Sequence, residues 1–336
     1  MKVLFIGEKN NGCDYHRIVM PAAYMNGAER KLITNDLTEE RLAEGWDIVV
    51  MNRGHQEFGP DVLTEWRDRY GFKLVIDTDD WWHLDPGHVL WDNYQSGMTE
   101  LLKSFLKIAD LVTVTHNRLA AKVLHINKNV KVAANGIPFG EMQYTDERVQ
   151  CDKVRVGWCG SITHDKDMEL MRGPMKRFVG RKDMMAVVGG YNNDNEESKL
   201  LWDKIVSAFT AGLQIESLIL PSATPWDYMP MYAHMDMVVI PLLASDFTSM
   251  KSNLKILEAS VKSLPVICPR IHPYLDFPED IVCYIDRQSD WYRHINRLIK
   301  DKDERDARGK MLHDFCRKHY AIQNFNRYEI YKHLIQ

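Results

Sequence analysis

The chain has 336 residues, of which 45% are hydrophobic and 27% are charged, a composition typical of soluble globular proteins. That length accommodates two domains, because domains usually contain about 100 to 200 residues. The formal net charge of −4 excludes a polycation that attracts nucleic acid through its overall field. No apolar stretch approaches the roughly 20 residues that cross a bilayer. The six cysteines form no C-x-x-C pair, which argues against a zinc site or a disulfide framework.

The N-terminal sequence predicts the start of a parallel α/β sheet. Residues 2–7 form an apolar strand, residues 8–15 a polar loop and residues 17–26 a first helix. Only Gly7 and Gly12 stand near this turn, so the G-x-G-x-x-G pattern is absent and a dinucleotide-dependent oxidoreductase is disfavoured. Helix-like sequence separates the further strands, as in sheets covered on both faces. Those strands are residues 46–51, 73–77 and 111–115.

Polar side chains follow the predicted strands of this first half. His55, the run Asp77-Thr78-Asp79-Asp80, and His116 each come after a strand. Because the carboxyl ends of parallel strands meet at one edge of a sheet, we expect these side chains to face a common cleft. The D-x-D triplet is one way to hold a divalent cation, through Asp77 and Asp79. The alternative is that one carboxylate caps the following turn while Asp79 or Asp80 faces a substrate.

An aromatic cluster follows this acidic run directly. It consists of Trp81, Trp82, Trp91 and Tyr94. Flat rings stack on sugars or on unstacked bases, and a stacked base is typically worth about 1 to 3 kcal/mol. The cluster therefore predicts a substrate platform, with the alternative that the rings fill the gap between loop and core.

The second half begins again as an α/β unit. Residues 144–153 are polar and aperiodic, as in a linker, and residues 155–160 then form a strand. The loop that starts at Ser161 leads into a helix from Met168. A Gly-Ser turn before a helix presents free backbone N–H groups to an anion, so a diphosphate is expected here.

The segment from Lys251 to Ile267 follows another apolar strand, residues 237–242. Its spacing predicts a helix that carries Lys251, Lys255 and Glu258 on one face. Two ammonium groups and one carboxylate at a strand end can hold a diphosphate and a ribose. The alternative is a surface helix whose lysines are merely solvated.

This Pro-Leu strand and Lys-rich helix, ending in Leu257-Glu258-Ala259, resembles the donor-binding half of GT-B glycosyltransferases. The likeness is greatest to the family 4-like group and its phage-encoded, DNA-modifying relatives. It implies two Rossmann-like α/β domains that face each other across a cleft. We expect an acceptor domain at residues 1–150, a donor domain at 151–315 and a C-terminal helix at 316–336 that returns to the first domain. The buried face of that helix is predicted to contain Phe325, Tyr328, Tyr331 and Leu334.

The resemblance also implies a donor site for a nucleotide sugar, in particular a UDP-sugar. In that family the Glu matching Glu258 accepts hydrogen bonds from the ribose, and basic residues neutralise the diphosphate. Ser161 stands where the family has Arg, and Met250 replaces the first Glu of its Glu-x7-Glu motif. The implied donor residues are Gly160, Ser161, Lys166, Gly189, Gly190, Tyr191, Lys251, Ser252, Asn253, Lys255 and Glu258.

On the acceptor side, the Tyr15-His16-Arg17 run matches a Tyr-x-Arg element of the phage-type proteins. These three residues, with Trp81 and Trp82, are the predicted acceptor contacts. The favoured acceptor is a 5-hydroxymethylpyrimidine in DNA, flipped out of the duplex. A polysaccharide or lipid-linked acceptor is the alternative.

The family retains anomeric configuration by letting the leaving phosphate take the acceptor proton. An inverting enzyme would instead need a base, for which Asp79, Asp80 and His116 are the candidates. His164 is predicted to donate to the leaving phosphate, or else only to cap its helix. No permanently bound cofactor and no essential metal are expected.

The departures at Ser161 and Met250 leave open a non-catalytic nucleotide-binding module. With no signal peptide before the first strand, we expect a cytoplasmic protein without membrane insertion, in the host cytoplasm for a phage-encoded chain.

Overall fold

The computed structural model describes residues 1–7, 11–34, 37–55 and 57–335. The predicted loop over residues 8–15 therefore lies partly outside the described residues, at 8–10. The chain divides into two compact units. The first contains Met1 to Gly136, Met250 to Ser252 and the residues from Tyr320 onward, and the second contains Ile137 to Ser249 and Asn253 to His319.

The first unit is built on a six-stranded parallel sheet in the order β2-β1-β3-β4-β5-β6. Its strands are β1 (Lys2–Gly7), β2 (Glu29–Thr34), β3 (Ile48–Asn52), β4 (Lys73–Thr78), β5 (Leu111–Val114) and β6 (Val130–Val132). Successive residues of β1 enter different clusters, with Leu4 and Ile6 on one face and Val3 and Phe5 on the other. Burial on both faces explains why the central strands β1, β3, β4 and β5 are nearly continuous apolar runs.

Helices of the first unit cover both faces of this sheet. The first helical segment contains a π-helical turn (Tyr15–Val19), and a second π-helical turn (Tyr94–Met98) precedes α6. The helices are α1 (Gly12–Asp14), α2 (Met20–Tyr24), α3 (Glu39–Leu42), α4 (Pro60–Tyr70), α5 (Trp91–Asn93), α6 (Thr99–Ile108) and α7 (Asn117–Val123).

The second unit is built on another six-stranded parallel sheet, in the order β12-β11-β10-β7-β8-β9. Its strands are β7 (Val154–Cys159), β8 (Met184–Tyr191), β9 (Ser217–Pro221), β10 (Met237–Val239), β11 (Val266–Pro269) and β12 (Cys283–Ile285). The chain runs from β7 to one side and later returns to the other side at β10. Ligands of such sheets bind beyond the carboxyl ends of the strands near this switch point.

The helices of the second unit pack on a core that contains Trp158, Trp202 and Trp291. Along α11 (Gln288–Lys300) the apolar residues Trp291, Ile295 and Leu298 recur at spacings of four and three, so one side of the helix faces that core. The helices are α8 (Asp165–Lys176), α9 (Glu196–Phe209), α10 (Leu254–Val261), α11 (Gln288–Lys300) and α12 (Lys302–Tyr320). No helix in the described ranges is long and apolar enough to cross a membrane.

The chain changes unit after Gly136, earlier than the predicted boundary at residue 150. Residues 137–149 pack within the second unit because their polar groups find partners there. Gln143 Nε2 donates to the Pro225 carbonyl over 2.7 Å, and the Val149 amide donates to the Ala233 carbonyl over 2.9 Å. This polar segment is therefore part of the second unit.

The C-terminal residues form short turns where a single helix over 316–336 was predicted. After α12 come a 3₁₀ turn (Ile322–Asn324), α13 (Arg327–Tyr331) and a further 3₁₀ turn (Lys332–Leu334). Asn326 caps α13 by accepting from the Tyr328 amide, which starts a new helix. Tyr331 is buried, and Tyr328 and Leu334 pack against the same first-unit cluster.

Candidate functional site

A cavity of about 380 Å³ lies in the second unit, at the carboxyl ends of β7 and β8. Its walls come from the two strand ends, from α9 and from α10. Five of the predicted donor residues line it: Gly160, Ser161, Gly190, Lys255 and Glu258. The sheet topology and the local spacing of Lys255 and Glu258 thus converge on one cavity, which we call the second-unit cavity.

Lys255 is held at this cavity by the end of β7. Its Nζ donates to the Cys159 carbonyl over 2.7 Å and lies 5.8 Å from the centroid of the Trp158 ring. A cation near an aromatic face is stabilised by the ring quadrupole. Lys255 stands in the first turn of α10, which fixes its stem. The ammonium is therefore positioned for an anion in the cavity.

Glu258 follows one turn later and is clamped by two tyrosines. Tyr228 donates to its Oε1 over 2.7 Å, and Tyr232 donates to its Oε2 over 2.6 Å. Burial raises the pKa of Glu258 above its ordinary value, although Lys255 and the two hydroxyls act in the opposite direction. Burial and the Glu258 charge raise the pKa of both tyrosines well above the usual range, so the two phenols remain donors. A carboxylate oxygen has a second lone pair, so each can accept one more hydrogen bond.

Backbone from two strand ends approaches closely beside this carboxylate. Gly190 adopts φ +102°, and a Cβ there would lie 2.3 Å from the Gly160 carbonyl oxygen. Only glycine fits such a position, since an L side chain is strained at this φ and collides. The wall of the cavity at this point is therefore peptide backbone.

His164 does not line the second-unit cavity. Its buried ring places Nδ1 2.8 Å from Asp167 Oδ2, while Asp167 Oδ1 accepts from the Leu243 amide over 2.7 Å. The ring also meets Trp158 edge to face, with centroids 6.2 Å apart. These contacts connect the loop before α8 with the loop after β10. In this structure His164 therefore stabilises the two loops.

Other predicted donor residues also lie outside this cavity lining. Lys166 is exposed on the first turn of α8. Gly189 belongs to β8, where it pairs with Cys159, and Tyr191 packs on the Trp202 ring with centroids 5.7 Å apart. Asn253 directly precedes α10.

The predicted common helical face of Lys251, Lys255 and Glu258 is wrong for Lys251. Helix α10 begins at Leu254, so Lys251 stands before the helix, and Met250 to Ser252 belong to the first unit. There Met250 is buried in the apolar core, and Lys251 Nζ lies 3.5 Å from Asp80 Oδ2. Burial of Met250 holds this segment in the first unit and leaves Lys251 and Ser252 off the helix.

In the first unit, the Tyr15-His16-Arg17 run lies in the core. Arg17 is 1% exposed and grips Asp77 with both Nε and Nη2, over 2.7 and 2.8 Å. Its Nη1 donates to Asn135 over 2.7 Å. Burial and the Arg17 charge lower the pKa of His16 to about 4, so this ring is neutral. Burial of Tyr15, His16 and Arg17 contradicts their predicted contact with an acceptor in this conformation.

The acidic run is also engaged by neighbouring cations. Arg53 donates to Asp79 Oδ1 from Nε and Nη2 over 3.1 and 2.9 Å. Burial acts to raise the pKa of Asp79, but Arg53, Cys13 and Arg17 outweigh it and hold the pKa well below its usual range. Asp77 is already bound to Arg17. Among the residues that the structure describes, no group of three His, Cys, Asp or Glu is placed to hold a metal ion.

Asp80 and His116 likewise have local partners. Asp80 Oδ1 accepts from the Trp81 amide over 3.0 Å, which is the capping alternative for this run. His116 caps α7, since its Nδ1 accepts from the Leu119 amide over 3.2 Å. Its Nε2 donates to the Met250 carbonyl over 3.0 Å. Both ring nitrogens of His116 are therefore engaged.

The two adjacent tryptophans differ in burial. Trp82 is 2% exposed and fills the core, as the alternative interpretation of the cluster expected. Trp81 is partly exposed, with its ring 4.3 Å from that of Trp82 and Lys122 Nζ 5.2 Å from its centroid. Trp82 is thus unable to contact an acceptor in this conformation, whereas Trp81 and Tyr94 retain exposed surface.

A second cavity, of about 460 Å³, lies at the carboxyl ends of β1 and β3 in the first unit. We call it the first-unit cavity. The sheet order changes direction between these two strands, so this is again a switch point. Of its lining residues, His55 and Tyr94 were predicted from the sequence as candidate site residues. The missed signal is an apolar stripe at spacings of three, four and seven: Met98, Leu101, Leu102 and Phe105.

Comparisons with solved structures give the fold a name. Sucrose-phosphate synthase from Thermosynechococcus elongatus has a TM-score of 0.68 at 14% identity, over 100% of this chain and 99% of that one. HepE of Anabaena in complex with UDP-glucose has a TM-score of 0.70 at 12% identity, over 100% and 99%. A glycosyltransferase from Rickettsia africae has a TM-score of 0.68 at 11% identity, over 100% and 99%.

The chain therefore has the GT-B glycosyltransferase fold, which confirms the predicted α/β class with two Rossmann-like units. At these identities the likeness establishes the fold alone. No family model matches the sequence, and no curated protein matches it either.

Proposed function

We propose that this protein is a glycosyltransferase that moves a sugar from a UDP-sugar to a hydroxyl group. One observation carries the proposal: Lys255 and Glu258 line a single cavity at the strand ends, together with Gly160 and Ser161. That is the pairing of cation and carboxylate which a nucleoside diphosphate requires. The fold likeness to HepE in complex with UDP-glucose supports the choice of donor.

In this proposal the diphosphate lies against the Gly160-Ser161 backbone and Lys255. The chemical task is to stabilise negative charge on the leaving phosphate, and a fixed ammonium in a partly buried site does this well. Glu258 accepts hydrogen bonds from the ribose hydroxyls, because its tyrosine partners leave each oxygen able to accept again. No metal takes part in this scheme.

The proposed stereochemistry is retention, in which the leaving phosphate takes the proton of the acceptor hydroxyl. The contacts of the candidate bases support this choice. Asp79 is paired with Arg53 and has a depressed pKa, and both nitrogens of His116 have partners. A general base works best with a pKa near the operating pH, so Asp79 is poorly suited to that role, and the partners of His116 occupy the nitrogens that it would use.

The proposed acceptor is a 5-hydroxymethylpyrimidine in DNA. Tyr94 is partly exposed and lines the first-unit cavity at the strand ends, which supports stacking of a base there. A polysaccharide or lipid-linked acceptor is one alternative, and a non-catalytic nucleotide-binding module is the other. Met250 favours the module, since this residue is buried and cannot supply the carboxylate of the family motif.

Calorimetry with UDP, combined with turnover of a panel of UDP-sugars, tests the proposal. Replacing Lys255 by Met removes a charge-assisted contact and should weaken UDP binding roughly ten- to a hundredfold. Uridine, which lacks the diphosphate, should bind both forms alike. Lys310→Met is the matched control, because Lys310 is an exposed lysine paired with Asp314 on α12.

Each outcome of this experiment decides between the candidates. Transfer to a 5-hydroxymethylcytosine-containing duplex supports the whole proposal, and transfer only to a saccharide or lipid-linked alcohol overturns the choice of acceptor. Tight UDP binding without turnover of any UDP-sugar favours the module. Absence of UDP binding, or equal losses in Lys255→Met and Lys310→Met, rejects the donor site.

A further inference from the structure

We propose that the first-unit cavity seats a flat, uncharged ring of the acceptor, and that the apolar side of α6 is the wall against which this ring lies. The inference rests on the proposed function and names the chemical class of its acceptor: a hydroxyl group carried on a planar ring. Three observations support it, namely the wall, the polar side of the cavity and the balance of charge.

The wall consists of Met98, Leu101, Leu102 and Phe105, which recur along one side of α6 and the turn before it. Met98 and Leu101 line the cavity and remain 36% and 39% exposed. Covering such residues contributes about 25 cal/mol for each Å² of apolar surface removed from water. Small-molecule sites are mostly apolar with a few placed polar groups, and their volumes of roughly 300 to 1,000 Å³ include this one.

The polar side comes from the end of β3. Asn52, Arg53 and His55 line the cavity there, so amide and imidazole groups face the apolar wall. Arg53 and Gly54 both adopt positive φ, at 60° and 119°. A Cβ on Gly54 would lie 2.2 Å from the Phe105 ring, so the loop passes directly over the wall. Glycine adopts positive φ readily, but a residue with a side chain, such as Arg53, is strained there, and such residues are concentrated at ligand sites.

The charge in the cavity disfavours an anionic ligand. Asp14 and Glu57 line it, and the one guanidinium in its described lining, that of Arg53, is matched by Asp79. A phosphate placed here would meet two carboxylates and no uncompensated cation among these groups. Polar edges opposite an apolar wall, without net positive charge, suit the ring of a nucleobase or an aryl alcohol. The phosphates of a polynucleotide would stay outside.

Saturation-transfer NMR on the full chain with UDP present tests this inference. The probes are 5-hydroxymethyl-2′-deoxycytidine, its 5′-monophosphate, benzyl alcohol and methyl β-glucoside. We expect ring protons of the nucleoside and of benzyl alcohol to receive saturation, the monophosphate to bind more weakly, and methyl β-glucoside to show no transfer. Contact with benzyl alcohol but not with the nucleoside would assign the site to aryl alcohols and reject the nucleobase.

Leu101→Asn should weaken binding of the ring probe roughly five- to tenfold. The separate variant Leu101→Met keeps an apolar side chain and should bind the probe as the wild type does. Leu124→Asn is the matched control, since Leu124 is 41% exposed, caps α7 and does not line the cavity. Equal effects at both leucines, tighter binding of the monophosphate, or equal binding of methyl β-glucoside would overturn the inference. UDP binding is also measured on the wild type and on each variant. Absence of UDP binding in the wild type would count against the donor site alone, and the ring contact would then be judged from the NMR data.

Discussion

Tyr228 donates its hydroxyl proton to Glu258 Oε1 over 2.7 Å, while Tyr232 occupies the other carboxylate oxygen of the same residue. The other groups that act on this carboxylate are Lys255 on its own helix and Cys159 at the end of β7. Burial raises the pKa of the Cys159 thiol to about 12, so it stays neutral. The two hydroxyls and Lys255 thus favour the ionised carboxylate and oppose burial, which raises the pKa of Glu258.

We predict that Tyr228→Phe and Tyr232→Phe shift the pH dependence of UDP binding upward. Both hydroxyls lower the pKa of Glu258, so removing either one raises it further. If ribose needs the ionised carboxylate, binding is lost as pH falls through that pKa, and each variant loses binding at a higher pH than the wild type. Titration of the UDP phosphate is common to all forms and cancels in the comparison.

The control for this clamp is Tyr144→Phe, because the Tyr144 hydroxyl lies 3.4 Å from the Tyr228 hydroxyl. It should shift the profile less than either clamp variant. The clamp variants should also discriminate less between UDP and 2′-deoxy-UDP. Profiles that superimpose on that of the wild type would show that the tyrosines do not set the state of Glu258.

Gly190→Ala is predicted to impair both folding and UDP binding. Strain at φ +102° costs about 1 to 3 kcal/mol. The added methyl group would also collide with the Gly160 carbonyl at 2.3 Å. Gly180→Ala is the matched control, since Gly180 has φ +81° with nothing within 4 Å of its Cβ position. Urea unfolding and UDP calorimetry are measured on both variants. Gly180→Ala reports the effect of backbone strain alone, and the additional loss in Gly190→Ala reports the collision. Equal losses of stability in the two variants would mean that the structure shifts to avoid the collision.

The residues of the second-unit cavity that were predictable from the sequence are those with local signals. Lys255 and Glu258 stand three residues apart in a helix, and an apolar strand followed by Gly160 and Ser161 marks a strand end in the sequence itself. The central strands of the sheets were predictable for the same reason, since buried parallel strands are continuous apolar runs. Edge strand β2, which begins with Glu29, Arg30 and Lys31, has no such run and was not predicted. Lys251 was misplaced because the start of α10 depends on where Met250 is buried, and the sequence near Lys251 does not show that.

The position of Arg17 was harder to predict because its contacts are distant in sequence. Arg17 looks like a surface residue until its partner Asp77, sixty positions later, is folded against it. Asn135 is further away still, and only the assembled sheet brings it to the same guanidinium. A polar triplet such as Tyr15-His16-Arg17 therefore suggested a ligand contact where the fold forms a buried ion pair.

That ion pair leads to the last prediction, which separates a structural from an acceptor role for Arg17. Arg17→Met leaves Asp77 buried without its main partner, and breaking a buried pair typically costs about 3 to 5 kcal/mol. Hydrogen exchange at the amides of β4 should show this loss, while UDP binding in the second unit is kept. Arg69→Met, at the exposed pair with Glu39, should change exchange far less, because exposed pairs contribute little. Normal protection of β4 in Arg17→Met, together with lost sugar transfer, would return Arg17 to the acceptor site.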